Sequence, residues 1–363
     1  MLIAAASGRA LAASARRGGF VPLVADRFGD LDTLEAAEDH VRADMARPID
    51  GDRLMAALET LAKGHDCLGI VCGSGFEDRA DLLTRIGVRW PLLGNAPDTV
   101  STLKDPVAFA RLCSDVGVPH PETSLTPPID AADWLIKRIG GSGGGHIRPA
   151  GDGKAGPGIY FQRRVAGVPV SALVLGDGKR LMVLGFSAQW AAPAARYPYR
   201  YGGAVRPAAL DASLRAATEA AIARVAARAP LVGLNSADFL IDGNDFHLLE
   251  INPRPGATFD LFEPKDVSLF ELHVDACNGR LPKQPPVLDG CMASAIIYAD
   301  RAIAAVPALA WPDWTADRPV AGGRIDRDEP VCSAFAHGRT AEAAKCLLDE
   351  RCEVVRSLAV RSP

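Results

Sequence analysis

The sequence predicts a mixed α/β and α+β chain, and three observations carry that prediction. Residues 1–100 alternate apolar strand and amphipathic helix, the pattern of βαβ units around a parallel sheet. The middle of the chain instead holds strands turned back on themselves at "GDG" and "DGND", which is antiparallel hairpin chemistry. Between the two, five glycines and one serine fill the six positions 140–145. With 363 residues, 48% of them hydrophobic, the chain can bury the cores of two or three packed units.

In order, "LIAAAS" reads as a strand, "RALAASARR" as a helix and "VPLVAD" as a second strand, followed by a helix at "RLMAALETLAK" and a strand at "DCLGIVC". No G-x-G-x-x-G follows the first strand, so a dinucleotide fingerprint is absent. "ALAASA" imitates a signal-peptidase site, but it lacks a basic leader and Gly8-Arg9 interrupts the apolar run, so the protein is expected in the cytoplasm. A helix from Pro106 to Val116 follows Lys104 and is stopped by "GVPHP". "DWLIKRIGGSGGGHIRPA" is a strand leading to Lys137 and then to the glycines. Such a loop costs entropy, and its bare N–H groups suit phosphate oxygens. It is no Walker A loop, because Lys137 precedes the glycines.

"IYFQRRV", "SALVLGD" and "RLMVLGFSAQ" are further strands, and "LDASLRAATEAAIARVAARAP" is a helix with Leu214, Ala217, Ala221, Ile222 and Val225 on one stripe. In "VGLNSADFLIDGNDFHLLEINPRPGATFD" the hairpin sets Asp238 opposite Glu250 and Asn252. These last two share a strand face, while Leu249 and Ile251 point into the core. Two carboxylates and an amide oxygen brought together suit a hard divalent cation. The tail after residue 290 has turn signals and one helix.

Other chemistries lose support. A net charge of -4 provides no basic footprint for nucleic acid or anionic membrane. No apolar run approaches the roughly 18 residues needed to span a bilayer. The eight cysteines form no C-x-x-C pair and have no His at ligand spacing, which fits reduced thiols better than zinc or disulfides. A Ser-His-Asp or Cys-His arrangement is also missing.

Lys104, Lys137 before a glycine-rich loop, Gln162 in "YFQRRVAG", Asp238 and then Glu250-x-Asn252-x-Arg254 together resemble the ATP-grasp superfamily over about residues 1–290. The resemblance implies an ATP-grasp fold with an N-terminal Rossmann-like (pre-ATP-grasp) domain, 1–100, and an ATP-grasp domain, 101–290. The latter would hold the glycine loop in a subdomain at about 120–166 and the metal site in another at about 167–290, with a small C-terminal appended element at 291–363. It implies ATP with magnesium, or manganese, as cofactors. Lys104 and Lys137 would meet the phosphates, and the loop Gly140, Gly141, Ser142, Gly143, Gly144, Gly145 and His146 would close over them. Gln162 and the backbone near Val165 would receive the adenine, with Arg163 also among the ATP-binding residues. Asp238, Glu250 and Asn252 would hold the metal, and Arg254 and Lys137 would be catalytic. The family more often has Glu at the position of Gln162, and its ribose-binding Glu falls near Pro169, so ribose contacts stay unassigned.

"SGRALAASARRGGFVPLVADRFGD", "CGSGFED", "GVPVS" and "EINPRPGATFD" are similar to ATP-grasp ligases of methanofuran and tetrahydromethanopterin biosynthesis. That implies an ADP-forming carboxylate–amine ligase acting through an acyl phosphate, of the tyrosine- or tyramine–glutamate kind, with small-molecule partners and a homodimeric assembly. Two alternatives on the same scaffold are a small-molecule kinase and a nucleotide-binding regulatory protein without chemistry. Glu77, Gln189, Arg200, Tyr201 and Arg206 are the acceptor-pocket candidates.

Overall fold

The computed structural model describes residues 1–45, 49–151 and 153–360. The first sheet is parallel, in the order β3-β2-β1-β4, built from β1 (Leu2–Ala5), β2 (Leu23–Asp26), β3 (Asp39–Arg42) and β4 (Ile70–Cys72). β1 and β2 are buried along their whole length, as strands covered on both faces must be. Helices α1 (Arg9–Arg17), α2 (Leu31–Ala36), α3 (Gly51–Ala62) and α4 (Ala80–Arg89) connect and flank them. "DCLGIVC" is strand only over its last three residues. Asp50 caps α3 by accepting from the N–H groups of Asp52 and Arg53.

α5 (Pro97–Lys104) and α6 (Pro106–Asp115) bridge to the second layer. Asp105 ends one and caps the other, and Pro106 takes the first-turn position where its missing N–H costs nothing. A small antiparallel sheet, β5-β8-β6-β7, follows from β5 (Thr123–Ser124), β6 (Trp134–Arg138), β7 (Arg148–Pro149) and β8 (Ile159–Arg163).

The largest sheet holds eight antiparallel strands: β9 (Val168–Asp177), β10 (Leu181–Ala191), β11 (Tyr201–Arg206), β12 (Val232–Asp242), β13 (Asp245–Asn252), β14 (Cys291–Tyr298), β15 (Thr315–Ala316) and β16 (Pro330–Gly338). Their order is β13-β12-β9-β10-β11-β14-β16-β15, so the C-terminal strands extend the sheet that carries Asp238, Glu250 and Asn252. Helices α7 (Ala212–Ala226), α8 (Leu269–Cys277) and α9 (Ala341–Val360) cover it. The last three residues of the C-terminal stretch, 361–363, lie outside the described ones.

Alternation along β9 shows how the sheet is used. Ala172 and Val174 pack with Leu214, Ile222 and Val225 of α7, while Leu173 and Leu175 pack with Leu11, Phe262 and Phe270 on the opposite face. In α7 the buried stripe includes Thr218, which hydrogen-bonds the carbonyl of Leu214, and the expected Ala217 is exposed. A second correction concerns Leu249. The β12–β13 register slips between Asp238 and Phe239, so that Asp238 faces Glu250 and Phe239 faces Leu248. Leu249 is the extra residue of that bulge and lines the cleft, while Leu248 and Ile251 enter the core.

Candidate active site

The glycine-loop sheet and the eight-stranded sheet face each other across a cleft of about 1370 Å³ that is open to solvent. Asp238, Glu250, Asn252, Lys137, His146 and Arg254 line it. The hairpin predicted from "DGND" brings the first three together. Asn252 Nδ2 donates to Asp238 Oδ2 at 2.9 Å and to Glu250 Oε1 at 3.4 Å. Lys104 Nζ, at the end of α5, donates to Glu250 Oε2 at 2.9 Å and to Asn252 Oδ1 at 2.6 Å. Lys104 is thus paired with the oxygen corner.

The electrostatics follow from burial and from those lysines. Burial raises the Asp238 carboxyl above its ordinary range and the charge of Glu250 adds to this, while a hydrogen bond from Ser171 at 2.6 Å opposes it. Burial also presses the Glu250 carboxyl upward, but the charge and hydrogen bond of Lys104 outweigh it and hold the group below the usual carboxylate range. Burial pushes the Lys137 ammonium down to about 8 against the pull of Glu250, with Lys104 adding to the fall. His146 is pushed down to about 4, chiefly by burial, so its ring is neutral at pH 7.

The donor set fits a hard divalent cation. Two carboxylates and an amide oxygen converge, and the corner already holds a cationic group between Glu250 and Asn252. Among the described residues no three of His, Cys, Asp and Glu gather at metal-ligand spacing, so the third protein ligand would be the amide oxygen of Asn252.

Docking geometry demands the glycines. Gly140, Gly143 and Gly144 have φ of +66°, +66° and +71°. A Cβ on Gly140 would meet Asp78 in the turn after β4, and one on Gly144 would collide with the carbonyl of Tyr199. Tyr201 N–H donates to Gly143 O at 2.9 Å, so the loop is seated against both the first layer and the start of β11.

Other expected residues are placed differently. Gln162 Oε1 accepts from Lys137 at 2.5 Å and lines a smaller adjoining cavity with Leu103, Phe109, His120, Tyr160 and Leu249. Arg163 is exposed and pairs with Glu122 at 3.4 Å, and neither it nor Val165 lines the cleft. Arg254 Nε donates to the buried Glu77 at 2.8 Å and Nη1 to Pro255 O at 3.1 Å. Of the acceptor candidates, Gln189 and Tyr201 line the cleft. Arg200 stacks on Tyr298 at 3.6 Å and donates to Ala192 O, and Arg206 spends its guanidinium on the backbone carbonyls of Leu261, Asp289 and Gly290. Ser171 escaped the sequence reading, although a lone serine in the apolar run "VPVSALVL" was a usable signal. Tyr160, Thr258 and Ile296 also line the cleft, without any local signal.

Residues 104–258 match the family model of an ATP-grasp domain. No curated protein matches the chain in sequence. Among solved structures, N5-carboxyaminoimidazole ribonucleotide synthetase from Thermus thermophilus superposes with a TM-score of 0.70 at 16% identity, covering 100% of this chain and 99% of that one. Biotin carboxylase from Campylobacter jejuni, in a β,γ-ATP complex, gives 0.69 at 16% identity over 93% and 87% of the two chains. The biotin carboxylase domain dimer of Hydrogenobacter thermophilus 2-oxoglutarate carboxylase, with MgADP and bicarbonate, gives 0.72 at 13% over 93% and 86%. The chain thus carries an ATP-grasp domain at residues 104–258, within an overall fold that it shares with these synthetases and carboxylases.

Proposed function

We propose that the protein is an ATP-dependent carboxylate–amine ligase that forms an amide through an acyl phosphate and releases ADP and phosphate. The observation that carries this reading is the convergence of Asp238, Glu250 and Asn252 with Lys104 and Lys137 at one end of the cleft. A carboxylate is a poor electrophile, and phosphorylation makes it a good one. The substrate oxygen bonds to the terminal phosphorus of ATP as the bond to the ADP oxygen breaks. The amine, an ammonium ion in neutral solution, first gives one proton to solvent; its freed lone pair then bonds to the acyl carbon, phosphate leaves with the electron pair of the broken C–O bond, and the nitrogen gives up a second proton to solvent.

This chain's residues would work by positioning and charge neutralisation. Asp238, Glu250 and Asn252 would hold a magnesium or manganese ion, which when bound neutralises phosphate charge. Lys104 and Lys137 would meet the nucleotide phosphates, and the loop at 140–146 would exclude water. Gln162 and the small cavity beside it would receive the adenine. Arg254, oriented by Glu77, keeps Nη2 without a partner among the described residues and would face the transferred phosphoryl group.

At a finer level we assign the ligase to C1-carrier cofactor biosynthesis of the methanofuran type, in the cytoplasm and as a homodimer. The short motifs near the N-terminus and around Arg254 support this. The test is a screen with ATP and magnesium against glutamate, tyrosine, tyramine and pterin acceptors, scored by nucleotide product and phosphate release. Turnover should give ADP and phosphate with an unphosphorylated amide. AMP and pyrophosphate would refute acyl-phosphate chemistry, and a stable phosphorylated product would point to a kinase.

A further inference from the structure

Beyond Arg254 the cleft opens into a second cavity of about 1060 Å³, and the two share Gly143, Tyr201, Arg254, Ala257 and Ile296 in their walls. Arg9, the first residue of α1, lies on its floor and at first sight suggests a carboxylate receptor. Its guanidinium is already engaged. Nη1 and Nη2 donate to the two oxygens of Asp260 at 2.6 and 2.8 Å, and Nε and Nη2 donate to Asp317 at 3.1 and 3.3 Å. An incoming anion would have to break these charge-assisted bonds in a site where Arg9 is only 8% exposed.

The charge balance points the other way. Asp260 and Asp317 line the cavity and Asp32 approaches Arg9 at 3.8 Å, so three carboxylates share one guanidinium. Arg318, the next cation, is drawn to Glu35 at 2.6 Å and lies 3.9 Å from Asp32. Arg254 is matched by Glu77. Asp317 also accepts from Ser7 and Ser333, which fills its oxygens, whereas among the described residues the Asp260 carboxylate receives only Arg9 and keeps lone pairs to offer. The Tyr201 hydroxyl is sealed from solvent beside Ser294. Phe28, Phe259 and Phe335 supply apolar wall.

Resting on the ligase reading, we propose that this cavity binds the amine-bearing substrate as its ammonium ion, seated on Asp260, with its apolar body along Phe28, Phe259 and Phe335. Asp317 is a positioning residue that acts through Arg9. Asp317, Ser333 and Phe335 all belong to the C-terminal stretch, which thereby helps select the acceptor.

The test is calorimetric binding of 2-phenylethylammonium and of its uncharged counterpart 2-phenylethanol to the intact protein, with and without MgADP. The ammonium should bind in the millimolar range and about tenfold more tightly than the alcohol, the order expected of a charge-assisted contact. Asp260→Asn should abolish that preference while MgADP binding is retained. Equal affinities, no binding of the ammonium, or a preference that survives Asp260→Asn would overturn the proposal. If Asp260→Asn loses MgADP binding together with its fold, the wild-type comparison alone decides. Failure of the wild-type protein to bind MgADP would sink the ligase reading instead, and the two outcomes are read in separate titrations.

Discussion

Lys104 and Glu250 form an unequal pair. The lysine side chain is 5% exposed, while the glutamate is 40% exposed to the cleft. Removing the lysine charge leaves two carboxylates facing each other with Lys137 and Arg254 as the remaining cations beside them, so Lys104→Met should destabilise the protein without nucleotide. The cost should be about 1–2 kcal/mol, below the figure for a fully buried pair because the cleft screens Glu250. Added magnesium should restore part of the loss in melting temperature, and an unchanged melting temperature without added cation would show that the corner needs no counter-ion. A second residue reports on pH. Burial, with Asp317, Asp26 and Asp32 adding, pushes the Asp30 carboxyl from 3.8 up to about 8. An acid raised on folding favours the folded state while protonated, and that advantage is lost as pH climbs from about 4 to about 8. Asp30→Asn should therefore match the wild type near pH 4 and exceed it by several kcal/mol near pH 8, about 1.4 kcal/mol for each pH unit between. Parallel stability curves for the two proteins across that window would contradict the buried position of Asp30.

At the scale of elements, the glycine loop and the β12–β13 hairpin carry the site. Gly144 combines a positive φ with contact on the Tyr199 carbonyl, so Gly144→Ala should keep the loop from seating. The expected result is a KM for ATP raised about tenfold or more with melting temperature nearly unchanged, since the loop contributes little core. Hydrogen exchange over residues 140–146 should slow on adding MgATP in the wild type and respond less in the variant. Equal protection in both would make the loop a plain hairpin tip. The hairpin shows what the sequence could reveal. Period-two alternation and the "DGND" turn suffice to bring Asp238 to Glu250 and Asn252. They cannot reveal the bulge that turns Leu249 into the cleft, because register is a property of two strands together. Lys104 was legible as a site residue but not as a ligand of Glu250, 146 positions away. Arg9 was unreadable for the same reason, since the carboxylates that saturate it come from 251 and 308 positions along the chain.

At the scale of the whole molecule, three sheets meet around two joined cavities, and each contributes a different chemistry. The parallel sheet sends Arg9 and Glu77, the small sheet sends Lys137 and the glycine loop, and the eight-stranded sheet sends the oxygen corner. Among the described residues no helix is long and apolar enough to cross a membrane. Asp238, Glu250 and Asn252 come from one hairpin, which α5 holds through Lys104 and the first layer holds through the Arg254–Glu77 pair. This corner is the proposed seat of a divalent ion held against a nucleotide. The most direct test is manganese binding, followed by electron paramagnetic resonance in the presence of ADP, in the wild type and in Glu250→Gln. An ADP-dependent bound ion is expected in the wild type and an affinity at least about tenfold weaker in a folded variant, since a hard cation loses a charged ligand. Equal manganese affinity in the two proteins would contradict it.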